Sequence, residues 1–166
     1  RWEKRLLAYL AWQRGHEAQD WRWTAAESRL ALKLPLRDGA VIELYGRIDR
    51  IDLNQNGEAA LLDYKTQSVK AIRDHLPDDV QLPAYALLQG NAAQAAYVAL
   101  DDDKLQAVSA VDVDEEGALR QSAQAHGERL QNAFDALRAG AQMPAHGVDS
   151  VCRYCEMRGL CRRDHV

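Results

Sequence analysis

The sequence predicts an α/β (α+β) domain, a mixed central sheet flanked by helices. Three observations predict it: helical spacing at the start, period-two alternation from Glu27 to Lys65, and helical spacing again around two further short strands. The 166 residues, 47% hydrophobic and 28% charged, suffice for one core and not comfortably for two. Residues 1–166 are therefore one domain, with residues 143–166 forming a cysteine-bearing tail.

Each element has its own signal. Trp2, Leu6, Tyr9 or Leu10, and Gln13 recur at helical spacing, so Trp2 to Arg14 reads as an amphipathic helix. Trp21 and Trp23 read as edge packing. Leu30, Leu32, Leu34 and Leu36 alternate with smaller or polar residues, the period of a strand. Arg37-Asp38-Gly39 is a turn, Val41 to Leu53 a long strand, Asn54 to Glu58 a second turn, and Ala59 to Lys65 its antiparallel partner. Thr66 to Asp79 is a looser polar stretch. Val80 to Leu88 is helical, with Pro83 in the first turn. Ala95 to Leu100 and Ala107 to Val113 are short strands, and the acidic Asp101-Asp102-Asp103 between them is a solvated turn. Asp114 caps a long helix that carries Leu119, Ala123, Leu130, Phe134 and Leu137 and stops at Gly140.

Composition excludes several function classes. No apolar run approaches the roughly 18 residues of a membrane span, and no charged-then-apolar leader opens the chain. The expected setting is cytoplasmic, and because residue 1 is Arg the chain is expected to be part of a longer protein. A net charge of −4 argues against a free-standing module that grips nucleic acid by phosphate neutralisation alone. The 3 cysteines, clustered between Cys152 and Cys161, are no disulfide framework and point to metal binding in a reducing compartment.

The chemistry concentrates in the central hairpin, Gly46-Arg47-Ile48-Asp49-Arg50-Ile51-Asp52 and Asp63-Tyr64-Lys65-Thr66. Asp63 and Lys65 share one strand face and Tyr64 takes the other. Folding the strands about Asn56 sets Leu53 opposite Ala59, Ile51 opposite Leu61, Asp49 opposite Asp63, and Arg47 opposite Lys65. Like charges opposed across a pair destabilise a sheet. A divalent cation between the carboxylates and an anion between the cations would relieve both conflicts; a solvated hairpin of alternating charge is the other reading. Asp52 faces away from Asp49 and reads as a structural partner of Arg50 or a turn group.

With Gln81-Leu82-Pro83-Ala84-Tyr85 added, these motifs closely resemble the PD-(D/E)xK nuclease superfamily, and within it the RecB/AddB-type nuclease domains of recombinational repair helicase–nucleases. The resemblance covers roughly residues 2 to 163 and implies a restriction-endonuclease-like fold. It implies catalysis by Asp49, Asp63 and Lys65. It further implies Mg²⁺ or Mn²⁺ held by Asp49, Asp63 and the Tyr64 carbonyl, an all-oxygen set suited to hard cations. Glu27 resembles the acidic metal residue that precedes the hairpin, and Gln81 and Tyr85 match a Gln-x-x-x-Tyr motif that binds substrate phosphate or the lysine. Such domains carry a histidine on an early helix. His16, after Gly15 in an expected interhelical stretch, lacks that context, so the histidine is expected upstream of Arg1.

Cys152-x2-Cys155-x5-Cys161 resembles the last three cysteines of the iron–sulfur nucleases of the AddB branch, whose [4Fe–4S] cluster takes four thiolates. The fourth is then expected upstream as well. Alternatively His165 completes a Cys₃His zinc site, with His146 a weaker candidate.

The function implied is metal-dependent hydrolysis of DNA phosphodiesters, exonuclease-like, by a domain whose DNA grip comes from a helicase or helicase–nuclease partner. A non-catalytic DNA-binding or scaffolding domain of the same fold is the alternative, and a small zinc module of unrelated function a third reading.

Overall fold

Residues 2–101, 105–109, 117–143, 147 and 149–161 are described by the computed structural model. At its centre, β2 (Val41–Leu53) turns back through Asn54 to Glu58 into β3 (Ala59–Lys65), with the bounds that alternation predicts. The Asn54 side chain accepts from the backbone N–H groups of Asn56 and Glu58, which closes the turn without a sheet partner. The register is also the expected one, Leu53 opposite Ala59 and Ile51 opposite Leu61.

β1 (Arg22–Pro35) pairs antiparallel with β2 along nearly its whole length. It begins five residues before Glu27, where the strand period starts in the sequence. A bulge between Trp23 and Ala25, and a left-handed backbone at Glu27 (φ 52°), break the period there. β4 (Ala92–Ala99) lies parallel to β3, and β5 (Gln106–Ser109) antiparallel to β4, so the sheet runs β1-β2-β3-β4-β5. This is the mixed sheet the sequence predicts. A parallel pair needs a crossover, and the stretch from Thr66 to Asp79 supplies part of it. There the structure corrects the expectation of a loose segment. Ser68 caps α2 (Val69–His75) by accepting from the Ala71 N–H, and a 3-10 turn, Leu76–Asp78, follows. Only Ile72 of α2 is buried, so the segment is too polar to show a helical stripe.

The inner strands are covered on both faces, which explains their near-continuous apolar runs. On one face α3 (Gln81–Gln89) and α4 (Ala118–Arg138) pack Leu82, Ala86, Leu119 and Ala123 against Ile48, Ile51, Leu61 and Tyr97. Two glycines permit this approach. A side chain at Gly46 would run into the Leu88 methyl with the Tyr85 ring 3.6 Å away, and one at Gly127 would meet Leu87 at 3.3 Å. On the other face α1 (Trp2–Ala18) sets Trp12 beside Leu62, Ala96 and Val98. α1 is four residues longer than its periodicity suggests and includes His16.

No described helix is long and apolar enough to cross a membrane. Asp102, Asp103, Asp114, His146 and His165 lie outside the described residues, as does the end of the predicted strand from Ala110 to Val113. In the tail, α5 (Asp149–Cys152) and α6 (Arg158–Cys161) carry the outer cysteines, with Cys155 between them. All three thiols are free.

Candidate active site

The β2–β3 ladder stops at Arg50 opposite Leu62, one pair short of the two carboxylates. Beyond that point the Tyr64 N–H loses a strand partner and is satisfied instead by Asp49 Oδ2 at 3.1 Å. Asp49 is thereby held beside Asp63 by the departure of one strand from the other. Arg47 follows β2 away: it stands opposite Arg29 on β1 and its Nε lies 3.0 Å from Glu27 Oε2. The expected pairing of Arg47 with Lys65 is therefore not made.

Asp63 is 3% exposed. Its Oδ1 accepts from Gln81 Nε2 at 2.7 Å, while Lys65 Nζ lies 2.7 Å from Oδ2. The two make an ion pair, and Oδ2 is buried with no hydrogen-bond partner among the described residues. Burial, reinforced by the Asp49 charge, pushes the Asp63 carboxyl above the usual carboxylate range, although Lys65 and Gln81 pull the other way. A buried carboxylate oxygen without a hydrogen-bond partner, next to a second carboxylate, is what a hard cation satisfies. The Asp49–Asp63 pair fits a divalent ion on that ground.

Gln81 and Tyr85 lie one turn apart on α3, as expected, and both reach the site. Gln81 Nε2 also donates to the Tyr85 hydroxyl at 2.8 Å, and Gln81 Oε1 accepts from Lys65 Nζ at 3.0 Å. The charges fix this orientation: reversed, the amide would set its NH₂ against the ammonium and its oxygen against the carboxylate. Burial raises the Tyr85 phenol, keeping it protonated. One residue here went unmarked in the sequence. Tyr97, on β4 level with Asp63, donates to Asp79 Oδ1 at 2.7 Å and lies 3.3 Å from Gln81 Oε1. A tyrosine in an alanine-rich strand reads as core, and only the parallel β3–β4 register reveals its position.

Other expected ligands stand apart. Glu27 is level with Asp49 on the neighbouring strand, between the pairs Ala26–Arg50 and Ser28–Ile48, but its carboxylate is exposed and engaged by Arg47. Among the described residues, no three His, Cys, Asp or Glu side chains converge to hold a metal. His16 is on the far face of the sheet, with Nε2 2.9 Å from Asp52 Oδ2. It is a helical residue in a buried network, not the interhelical one its glycine neighbour suggests.

These elements place two carboxylates, a lysine and a glutamine on one end of a mixed sheet. The chain belongs to the PD-(D/E)XK nuclease superfamily, whose family model matches residues 1–162. The crystal structure of SSO0001 is similar in fold over 97% of this chain and 69% of its own, with a TM-score of 0.50 and 17% identity. No curated protein matches in sequence.

Proposed function

We propose that the protein is a metal-dependent deoxyribonuclease domain of RecB/AddB type, acting with Mg²⁺ or Mn²⁺ on strands presented by a helicase-like partner. The observation that carries this reading is the buried Oδ2 of Asp63, unpartnered by any hydrogen bond beside Asp49 and Lys65. Asp49 and Asp63 would hold the ion, with the Tyr64 carbonyl as a third oxygen. When bound, it supplies an activated water and charge neutralisation at phosphorus. Lys65 orients the attacking water and offsets the negative charge that develops on the phosphoryl oxygens. Gln81 keeps that ammonium beside Asp63, and the Tyr85 hydroxyl, which accepts from Gln81, offers its own proton to the neighbouring phosphate. The net charge of −4 suits a module that leaves strand grip to its partner.

The test is cleavage of labelled single- and double-stranded DNA in Mn²⁺ against EDTA. Cleavage in Mn²⁺ alone, lost in Asp49→Ala together with Mn²⁺ binding, is expected. DNA binding with no cleavage in either condition favours the scaffolding domain instead.

For the tail we propose a ligand role for Cys152, Cys155 and Cys161. Three thiols are one short of a four-thiolate cluster, and they form no metal-binding group among the described residues. Metal analysis separates its readings. Iron with inorganic sulfide in anaerobically purified protein marks a cluster. Stoichiometric zinc released by Cys161→Ser marks the zinc site, and absence of both metals removes the ligand role.

A further inference from the structure

Gln81 is the hub of the site, and its own position is set from the far side by two residues outside the motifs. Asp79 accepts from the backbone N–H of Gln81 at 3.2 Å through Oδ1 and of Leu82 at 3.1 Å through Oδ2, which caps the first turn of α3. The same Oδ1 takes the Tyr97 hydroxyl at 2.7 Å. Tyr97 is 6% exposed, and its ring lies under the Lys65 ammonium, 4.8 Å from Nζ to the ring centroid. One buried side chain thus touches the start of α3, the carbonyl end of Gln81 and the cation of the (D/E)xK pair. It does so from the strand position paired with Asp63.

We propose that Tyr97, anchored by Asp79, is a positioning residue that sets Gln81 and Lys65 against Asp63 for phosphodiester cleavage. The role rests on the nuclease reading above. The physical reason is triangulation. Asp63 belongs to β3, Tyr97 to β4 and Gln81 to α3, and no regular hydrogen bonding joins a helix to a sheet. Without the hydroxyl, the first turn of α3 rests against β4 by apolar packing, which tolerates sliding. With it, a charge-assisted hydrogen bond fixes the first turn where the glutamine must bridge. The ring adds a cation–π contact that holds the ammonium over the sheet rather than in solvent. Burial and the Asp79 carboxylate both push the phenol far above its ordinary value, so the hydroxyl remains a donor throughout the working pH range.

Tyr97→Phe keeps the ring and removes the anchor. In the purified protein, kcat for Mn²⁺-dependent cleavage of a labelled oligonucleotide is expected to fall about tenfold with KM unchanged, the pattern of an interaction realised in the transition state. In the metal-free protein the Gln81 side-chain amide resonances are expected to shift and exchange faster with solvent. Asp79→Asn, which loosens the anchor from its other end, gives the same two signs and serves if Tyr97→Phe fails to fold. Tyr45→Phe, on an exposed position of β2, changes neither readout. Unchanged kcat with an unmoved Gln81 amide overturns the proposal. If the wild-type protein does not cut at all, the nuclease reading fails, and the amide resonances still decide whether Tyr97 positions Gln81.

Discussion

Asp63→Asn is expected to lower Mn²⁺-dependent cleavage by about three orders of magnitude or more while the fold remains intact, because it removes one of the two carboxylates proposed above to hold the ion. The substitution is nearly isosteric, and its carbonyl can still accept from Gln81 Nε2. Lys65, about a third exposed, turns to water. Stability responds in a way that an ordinary ion pair would not. The folded carboxyl titrates above its unfolded value of about 3.9. The ionised form is therefore disfavoured in the folded state, and metal-free wild-type protein loses stability as pH rises from about 3.9 through the folded value. Comparing melting curves of wild type and Asp63→Asn across that window isolates this group from the histidines. The variant is expected to lack that loss and to lose the upward shift in melting temperature that Mn²⁺ gives the wild type. A variant that cuts like wild type, or is stabilised equally by Mn²⁺, sinks the assignment of Asp63 as a ligand.

Much of this was legible in the sequence, and the reason is local. β2 and β3 alternate cleanly about a polar turn, so their bounds and register follow from period and turn chemistry alone. Gln81 and Tyr85 are four apart in a helix, so their shared face follows from geometry. The rest depended on events that no pattern records. β2 parts from β3 after Arg50, which carries Arg47 to β1 and leaves Asp49 to satisfy the Tyr64 N–H. β1 changes phase at a bulge and a left-handed Glu27, which takes that carboxylate to Arg47 rather than to the aspartates. Tyr97 becomes part of the site only through a parallel pairing across a crossover. His16 follows the same rule: Gly15 suggested an end to the helix, and burial against Asp52 and two tryptophans carried it on.

Arg50→Met is expected to be the most destabilising single change in the hairpin, about 3–5 kcal/mol, because it strands a buried carboxylate. Asp52 is fully buried and Arg50 is 4% exposed. The guanidinium grips both carboxylate oxygens, Nε to Oδ1 at 2.7 Å and Nη2 to Oδ2 at 2.6 Å. Its remaining nitrogen donates to Gln13 at 2.7 Å, Tyr9 at 2.9 Å and the Tyr64 hydroxyl at 3.1 Å, and its carbon sits 5.8 Å from the Trp12 ring centroid. Tyr9, Trp12, Gln13 and His16 all belong to α1, whose Leu6, Leu7 and Leu10 remain exposed. Polar side chains together with Trp12, not a leucine stripe, dock the helix. The two buried aspartates of the hairpin thus divide by environment. Burial alone would raise Asp52 as it raises Asp63, but the hydrogen bonds from His16 and Arg50 outweigh it and hold Asp52 below the usual range. Its contribution is present above the unfolded value of about 3.9 and lost as pH falls through the lower folded value. Denaturant titration of Arg50→Met at neutral pH should show the loss, with a melting temperature lower on the order of 10 °C. Arg50→Met with Asp52→Leu should recover most of it and flatten the acid limb below about pH 4, since neither charge is then left alone. A single variant within about 1 kcal/mol of wild type, or a double variant no more stable than the single, would show that α1 is held by packing rather than by this charge network.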